Sequence, residues 1–277
     1  MRFAIVSVSV LAALSQLVSA VPTLERRASA TEKPTIGYAA RAVPPVALAA
    51  PPSPSLPSPP SLRRFRQRKD RHLWLVARRC RTARQQENNV IIRNLKISKV
   101  LASAGDALGI QEASKVWVDH VDLSSDRDHD KDFYDGLLDV THGSTFVSIT
   151  NSNLHDHYKA SLVGHSDNNE SEDKKITVTY ALNRFSNLNS RMPSFRFGTG
   201  HLFNNYFVNS NDGINTRLGA QLLVENNVWE GVKKPLYATD NGAPTGTFSK
   251  APYSYTLLDA GKVKSTVSSS AGATLDF

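Results

Sequence analysis

The segments VWVDHVDL (116–123) and VSITNSNL (147–154) share one pattern, in which apolar residues alternate with polar ones and an Asn or His stands near the end. Four further segments follow it: NVIIRNLKI (89–97), VTYALNRF (178–185), HLFNNYF (201–207) and LLVENNVW (222–229). The equivalent apolar residues recur at intervals of 26, 31, 31, 22 and 22: Ile97, Leu123, Leu154, Phe185, Phe207 and Trp229. Period-two strands that recur at such spacing, with variable loops between them, predict a solenoid of strands.

The architecture we expect is all-β, a right-handed single-stranded parallel β-helix over residues 88–277. Each rung of such a helix stacks the same strand on the previous one, so inward side chains form apolar ladders. Repeated asparagines can hydrogen-bond along the turns, and the candidates are Asn94, Asn151, Asn204 and Asn226. A β-sandwich is the alternative, but it needs Asn-Gly or Asp-Gly hairpins between neighbouring strands. The three such dipeptides, at 135–136, 212–213 and 241–242, do not fall between successive strands.

The basic charge of the chain is concentrated in one place. The formal net charge is +8, but residues 62–84 carry ten Lys or Arg against one Asp, which leaves −1 for the rest. A nucleic-acid interpretation would therefore depend entirely on that segment. Cys80 is the sole cysteine, so an intramolecular disulfide is excluded.

The first 20 residues have the charged start, apolar stretch and small-residue end of a secretory signal peptide, which predicts an extracellular protein. Residues 21–40 would form the mature N-terminal segment. Residues 41–86 are rich in proline and then arginine, and they read as disordered or extended. Displacing the reading frame by one base makes AVPPVALAAPPSPS compatible with GTTGGAGGTTITVS. Our hypothesis is that this segment is a gene-model artefact or a genuine frame disruption that replaces early strands, so that the first rungs are missing or replaced.

Two groups of charged residues predict a binding site. Asp135 and Asp139 would face one way on a strand about 13 Å apart, too far for one cation unless the strand bends or other ligands help. Oxygen ligands favour a hard cation such as Ca²⁺, and Asp106 could stack nearby from the preceding rung. A solvated pair on a sheet face is the alternative. The basic group could bind one carboxylate of an acidic polymer, and it consists of Lys159, Arg191 and Arg196.

The motifs VWVDH, DGLLD, KASLVGHSD, NSRMPSFR and AQLLVENNVWEG resemble those of family 1 polysaccharide lyases, the secreted fungal pectate lyases, over about residues 88–237. The resemblance implies a parallel β-helix that cleaves de-esterified polygalacturonate by β-elimination with bound Ca²⁺. It also implies that Arg191 removes the C5 proton and that Lys159 and Arg196 bind the uronate carboxylate. The implied calcium ligands are Asp106, Asp135 and Asp139.

Alternatives remain beside this assignment. A pectin lyase would act on methyl-esterified substrate without the calcium site. A non-catalytic glycan-binding β-helix, or an inactive protein, would follow if the damaged N-terminal part prevented assembly of the early rungs. We expect a monomer that binds pectate and neither nucleic acid nor membrane. Asn169, in the sequon Asn169-Glu170-Ser171, is the candidate glycosylation site.

Overall fold

A computed structural model describes residues 34–41 and 88–276, which form sixteen strands and three α-helices. The helices are α1 (Gly37–Arg41), α2 (Glu170–Asp173) and α3 (Ala260–Ser270), and Ala102–Ala104 form a 3₁₀ turn. The strands are β1 (Asn88–Arg93), β2 (Lys96–Ser98), β3 (Leu108–Gln111), β4 (Ser114–Asp119), β5 (Asp122–Ser124), β6 (Leu138–Thr141), β7 (Thr145–Thr150), β8 (Asn153–Lys159), β9 (Leu162–Val163), β10 (Thr177–Ala181), β11 (Arg184–Ser190), β12 (Ser194–Arg196), β13 (Thr199–Phe203), β14 (Tyr206–Arg217), β15 (Gln221–Glu225) and β16 (Val228–Ala238).

The strands pair in parallel within two sheets. One sheet has the order β1-β4-β7-β10-β13-β15. The other has the order β2-β5-β8-β11-β14-β12-β9-β6-β3, with β16 also paired to β14. Neighbours in each sheet come from successive rungs of the chain, and the named strand pairs are all parallel. The predicted parallel β-helix is therefore confirmed.

The register of the strands confirms the predicted repeat. Ile97 pairs with Leu123, and each later member of the apolar series pairs with the next as far as Trp229. The aromatic members stack nearly parallel, with ring centroids 4.9 Å apart for Phe185 and Phe207 and 5.5 Å apart for Phe207 and Trp229. The repeat thus places one continuous ladder of side chains inside the solenoid.

The asparagine prediction is only partly correct. Asn94, Asn151, Asn204 and Asn226 occupy equivalent bends with positive φ, a conformation that asparagine tolerates better than most residues. Of these, Asn204 donates to the carbonyl of Asn226, at 3.3 Å. The ladder of side-chain amides lies one residue later, where each Nδ2 donates to the next Oδ1 at 3.1 and 2.9 Å, and it consists of Asn183, Asn205 and Asn227.

Residues 251–276, which we call the C-terminal strap, run across the rungs. The backbone N–H of Leu258 donates to Asn204 Oδ1 at 2.9 Å, in a late rung. Leu275 exchanges two hydrogen bonds with Asn94, of 2.8 and 3.1 Å, in the first described rung. Between these points α3 buries its apolar side chains against β14. The strap therefore contacts both ends of the described solenoid.

The predicted signal peptide (1–20) and nearly all of the proline- and arginine-rich segment (42–86) lie outside the described residues. The described part of the N-terminal segment packs on β7 and β10, where the Tyr38 N–H donates to Thr179 Oγ1 at 3.1 Å. In the part of the chain that the structure describes, each helix is too short or too polar to cross a membrane.

Replacing Phe207 by alanine is expected to lower the free energy of unfolding by about 3–5 kcal/mol, because it leaves a cavity between two stacked rings. Phe133→Ala is the matched control: its side chain is 43% exposed and contacts the rings of His129 and Tyr134, so the change should cost only about 1 kcal/mol. Urea denaturation followed by circular dichroism measures both. Equal effects of the two substitutions would contradict the ladder as the source of stability.

Candidate active site

Two aspartates of the predicted acidic group are brought together by the stacking of β3 on β6. Gly109 pairs with Asp139, so Asp106 lies opposite Gly136 in the next rung. Asp106 Oδ1 accepts the N–H of Gly136 at 2.9 Å, and Asp139 Oδ1 accepts the N–H of Leu162 at 2.9 Å. Backbone donors from two rungs thus fix both carboxylates.

Gly136 lies between these carboxylates. A Cβ atom at this position would lie 2.6 Å from Asp139 Oδ1 and 2.7 Å from Asp106 Oδ1, closer than real Cβ contacts allow. The two oxygens therefore face the same small space, which only a residue without a side chain leaves open.

Asp135 is not on the strand face where the sequence placed it. Strand β6 begins at Leu138, so Asp135 precedes it, and the expected arrangement of Asp135 and Asp139 on one flat strand is wrong. Asp135 Oδ1 lies 3.3 Å from Lys159 Nζ, while its carbonyl accepts a hydrogen bond from buried His157. Oxygens of the three aspartates do not all lie within 4.8 Å of one another. The chain before β6 thus directs Asp135 towards Lys159 of the basic group.

Burial makes this acidic pair costly to ionise. Burial and the charge of Asp135 raise the pKa of Asp106 to about 6. Burial and the charge of Asp106 raise the pKa of Asp139 well above its ordinary value. The positive charge of Arg191 acts in the opposite direction on both pKa values. Convergent oxygens that repel each other in a buried space fit a hard cation such as Ca²⁺.

Two of the predicted basic residues lie beside the carboxylates. Lys159 ends β8 and pairs with Ser190, so Arg191 follows one rung later. Lys159 Nζ lies 3.2 Å from Asp132 Oδ1 as well as close to Asp135. Arg191 is half-buried and forms no ion pair with a carboxylate of the described residues. Its guanidinium is thus available to a ligand of the site.

Arg196 is already engaged. Its Nε donates to the carboxylate of Asp167 and its Nη1 donates to the Gly164 carbonyl at 2.9 Å. Arg217 pairs with Arg196 in the neighbouring strand and places Nη2 3.3 Å from the same carboxylate. Sequence reasoning missed both Asp167 and Arg217. A spacing of 21 residues between the two arginines, close to the local repeat of 22, could have indicated the second one.

Comparison with known proteins matches the chain to one family. A family profile described as pectate lyase matches residues 80–271. The probable pectate lyase A of Aspergillus fumigatus is 59% identical over 209 residues, and the pectate lyase A of Aspergillus niger is 56% identical. In both comparisons the alignment covers 70% of this chain, which spans 65% of the relative's length.

Solved structures agree with the fold. A pectate lyase from Bacillus sp. N165 in complex with trigalacturonate has a TM-score of 0.58 and 29% identity, covering 67% of this chain and 68% of its own. A pectate lyase variant from Xanthomonas campestris has a TM-score of 0.57 and 28% identity, covering 67% and 70% respectively.

The Asp106→Asn substitution is expected to stabilise the cation-free protein at pH 8. A pKa of about 6 against 3.8 when exposed corresponds to roughly 3 kcal/mol of destabilisation once both states are ionised. Because the folded-state pKa is raised, this penalty is absent below about pH 4, grows between pH 4 and pH 6, and is complete above about pH 6. Asparagine keeps the oxygen that accepts the Gly136 N–H and does not titrate.

Urea denaturation at pH 4 and pH 8, in the presence of chelator, measures this difference between wild type and variant. The matched control is Asp128→Asn, at an exposed position. A variant that is equally stabilised at both pH values would show that ionisation of Asp106 is not the cause.

Proposed function

The chain belongs to the pectate lyase family, and on this premise we propose that it is a calcium-dependent lyase of de-esterified (1→4)-α-D-galacturonan. The products would be 4,5-unsaturated oligogalacturonides. The observation that carries the proposal is that the charges of Lys159 and Arg191 lie beside the convergent carboxylates of partly buried Asp106 and buried Asp139.

Calcium would be held by Asp106, Asp135 and Asp139. The donor set contains only oxygen, as hard cations prefer, and a bound cation would relieve the repulsion that raises the pKa of Asp106. When bound, the ion would neutralise the uronate carboxylate and so acidify the adjacent C–H group. The remaining ligand positions would fall to water or to the substrate.

The basic residues would carry the elimination itself. The C5 proton is α to a carboxylate, and Lys159 and Arg196 would bind that carboxylate and stabilise the charge that develops on it. Arg196 would have to exchange its contact with Asp167 for the substrate. Arg191 would remove the C5 proton, the C–H electron pair would form the C4–C5 double bond, and the C4–O4 bond would break. The leaving oxygen takes up a proton, and no water is consumed.

The relatives support this substrate class. The Bacillus relative was solved with trigalacturonate, a short piece of the proposed polymer. A pectin lyase acting on methyl-esterified substrate is a weaker candidate, because an esterified chain offers no carboxylate for the cation and basic residues to bind. The acidic group of the site would then have no role.

A non-catalytic or inactive β-helix is the second candidate, and one observation favours it. Strand β1 pairs with β4 alone among the described strands, and the side chain of Ile91 is 37% exposed. Edge strands and apolar ladders left open in this way favour association or unfolding. We propose that residues 41–86 replace, in the sequence, the earlier rungs that would cover this edge. Sequencing the transcript tests it, and a frame that reads as written would argue against the displaced-frame origin.

The remaining proposals concern the setting of the enzyme. We propose secretion through residues 1–20, a monomeric state and glycosylation at Asn169. The Asn169 side chain is half-buried, and its Nδ2 donates to Glu172 Oε2 at 2.7 Å. A glycan on this nitrogen would replace one of its hydrogens.

Arg191→Lys is expected to reduce lyase activity by about 10²-fold or more, because a positioned proton acceptor contributes at least that much. The measurement is ultraviolet absorbance of the unsaturated product from polygalacturonate, with calcium or with chelator. Arg127→Lys is the control, because Arg127 bonds Asn187 and lies over the Tyr158 ring, and it should keep its activity. Calcium should raise the melting temperature of Arg191→Lys as in wild type, which separates cation binding from chemistry.

Each alternative gives a distinct result in this assay. Product formed from methyl-esterified pectin in the presence of chelator would favour the pectin lyase. A folded chain without product on either substrate would favour the non-catalytic β-helix.

Activity is expected to rise with pH above 7 and to be greatest under alkaline conditions. A guanidinium group holds its proton tightly, so alkaline pH favours the neutral form that accepts a proton. Initial rates between pH 4 and pH 10 at saturating calcium measure the profile. A maximum at mildly acid pH, as enzymes with paired catalytic carboxylates show, would exclude arginine as the base.

A further inference from the structure

Two histidines stack on the side of the solenoid, away from the acidic group. Val140 in β6 pairs with Val163 in β9, so the residues two positions later, His142 and His165, occupy equivalent places in adjacent rungs. Their rings lie nearly parallel with centroids 3.8 Å apart. Both side chains are partly exposed, at 34% and 24%. Two imidazole groups thus present their nitrogens to one region.

A carboxylate completes this group. The insertion between β9 and β10 carries α2 back over the histidines and places Glu172 Oε2 3.4 Å from His142 Nδ1. One donor atom from each of His142, His165 and Glu172 lies within 4.8 Å of the others. Among the described residues it is the one group of three or more His, Cys, Asp or Glu side chains that meets this distance.

One nitrogen of the group has a carboxylate close to it but makes no hydrogen bond. His165 Nδ1 is buried and makes no hydrogen bond to the described residues. Asp173 Oδ2 lies 2.9 Å away, but not in hydrogen-bonding geometry. Fully buried Asp173 instead accepts the backbone N–H groups of Gly143 and His165, at 3.1 and 2.9 Å. A buried polar atom left in this state is unfavourable, and a small movement of the ring would let this nitrogen bind a cation or donate to Asp173.

The donor set differs in kind from that of the acidic site. Imidazole nitrogens suit zinc and related transition-metal ions, whereas calcium prefers oxygen. Buried Asp173 stands where carboxylates that orient metal-binding histidines stand in zinc sites. A cavity of about 290 Å³ beside Glu172 has room for water as a further ligand. Lys175 also lines this cavity, and its charge opposes a cation.

We propose that His142, His165 and Glu172 form a second metal site, which binds a transition-metal ion such as Zn²⁺ in preference to Ca²⁺. The site lies three residues beyond Asp139 on β6, about 10 Å along the strand. A bound ion would join β6, β9 and the α2 insertion, in addition to the contact between His142 and Glu172 and the two backbone hydrogen bonds that Asp173 accepts. The inference does not depend on the proposed lyase activity.

The test is calorimetric titration of the full chain, without a histidine tag, with ZnCl₂ in buffer that contains excess CaCl₂. Calcium keeps the oxygen-only site occupied, so zinc reports on the second site. Wild type is expected to bind one further ion. His142→Gln, His165→Gln and Glu172→Gln should each weaken binding by at least about tenfold, since even residues that only orient a ligand contribute that much.

Two further variants separate a metal site from a chance histidine. His155→Gln is the matched control, because this imidazole is similarly exposed and lies between the carboxylates of Asp122 and Asp156 but has no second imidazole beside it. Its zinc affinity should equal that of wild type. Lys175→Gln should bind zinc about two- to fivefold more tightly, because a repelling charge is removed.

Several outcomes would overturn the proposal. These are no zinc binding above the calcium background, retention of full affinity in His142→Gln and His165→Gln, or an equal loss in His155→Gln. Should the histidine variants fail to fold, Co²⁺ added to the wild-type chain provides the decision. Nitrogen ligands in a four- or five-coordinate site give visible bands stronger than those of hydrated Co²⁺, and Zn²⁺ should abolish them. A spectrum that matches hydrated Co²⁺ would exclude the site.

Discussion

In-register stacking of parallel strands is the constraint on which this molecule depends. Successive rungs lie about 4.8 Å apart, so every side chain meets its equivalents from the rung before and the rung after. For apolar residues this contact is favourable, and the aromatic ladder through Phe207 follows from it. For polar residues the contact is favourable where hydrogen-bond donors and acceptors alternate, as in the amide ladder through Asn205. The same geometry gives the ionisable residues no freedom to separate.

Where ionisable side chains occupy equivalent positions in adjacent rungs, in-register stacking brings their charges close together. Asp139 is buried and Asp106 is partly buried beside it, although both pKa values rise as a result, and only part of the repulsion is offset by Arg191. The folded chain therefore retains repulsion between carboxylates, which a bound cation would relieve. Carboxylate oxygens gather at one end of β6, and imidazole nitrogens gather just beyond its other end. One strand thus separates two regions with different potential donor atoms.

The repeat of the fold could be read from the sequence, because a ladder requires only an apolar residue at a recurring interval. The series from Ile97 to Trp229 matches the observed register throughout. Side-chain direction at the bends could not be read, since Asn204 and Asn205 are adjacent asparagines and backbone φ decides which one faces inward. The expected strand position of Asp135 was wrong. The N–H of the following residue, Gly136, donates to the Asp106 carboxylate instead of to a neighbouring strand.

The sequence pattern also did not predict the contacts that residues of the insertions make. Asp167 binds Arg196 from a loop without a sequence repeat. The two stacked histidines are 23 residues apart, whereas the paired residues of β7 and β10 are 31 apart. The insertion after β9 accounts for this difference. The site was predictable in its residue types, because carboxylates and basic residues clustered in sequence, but its pairings depended on loop geometry.

The C-terminal strap changes how such a solenoid can come apart. A stack in which each rung contacts only its neighbours behaves as a one-dimensional array, which can fray from either end and hold its remaining rungs. Here the tail bonds Asn204 in a late rung and Asn94 in the first described one, so it bridges rungs that never touch each other. Fraying at one end must release the strap, and with it contacts at the other end. The strap thereby makes unfolding more nearly all-or-none, in an architecture whose repeats alone would permit partial states.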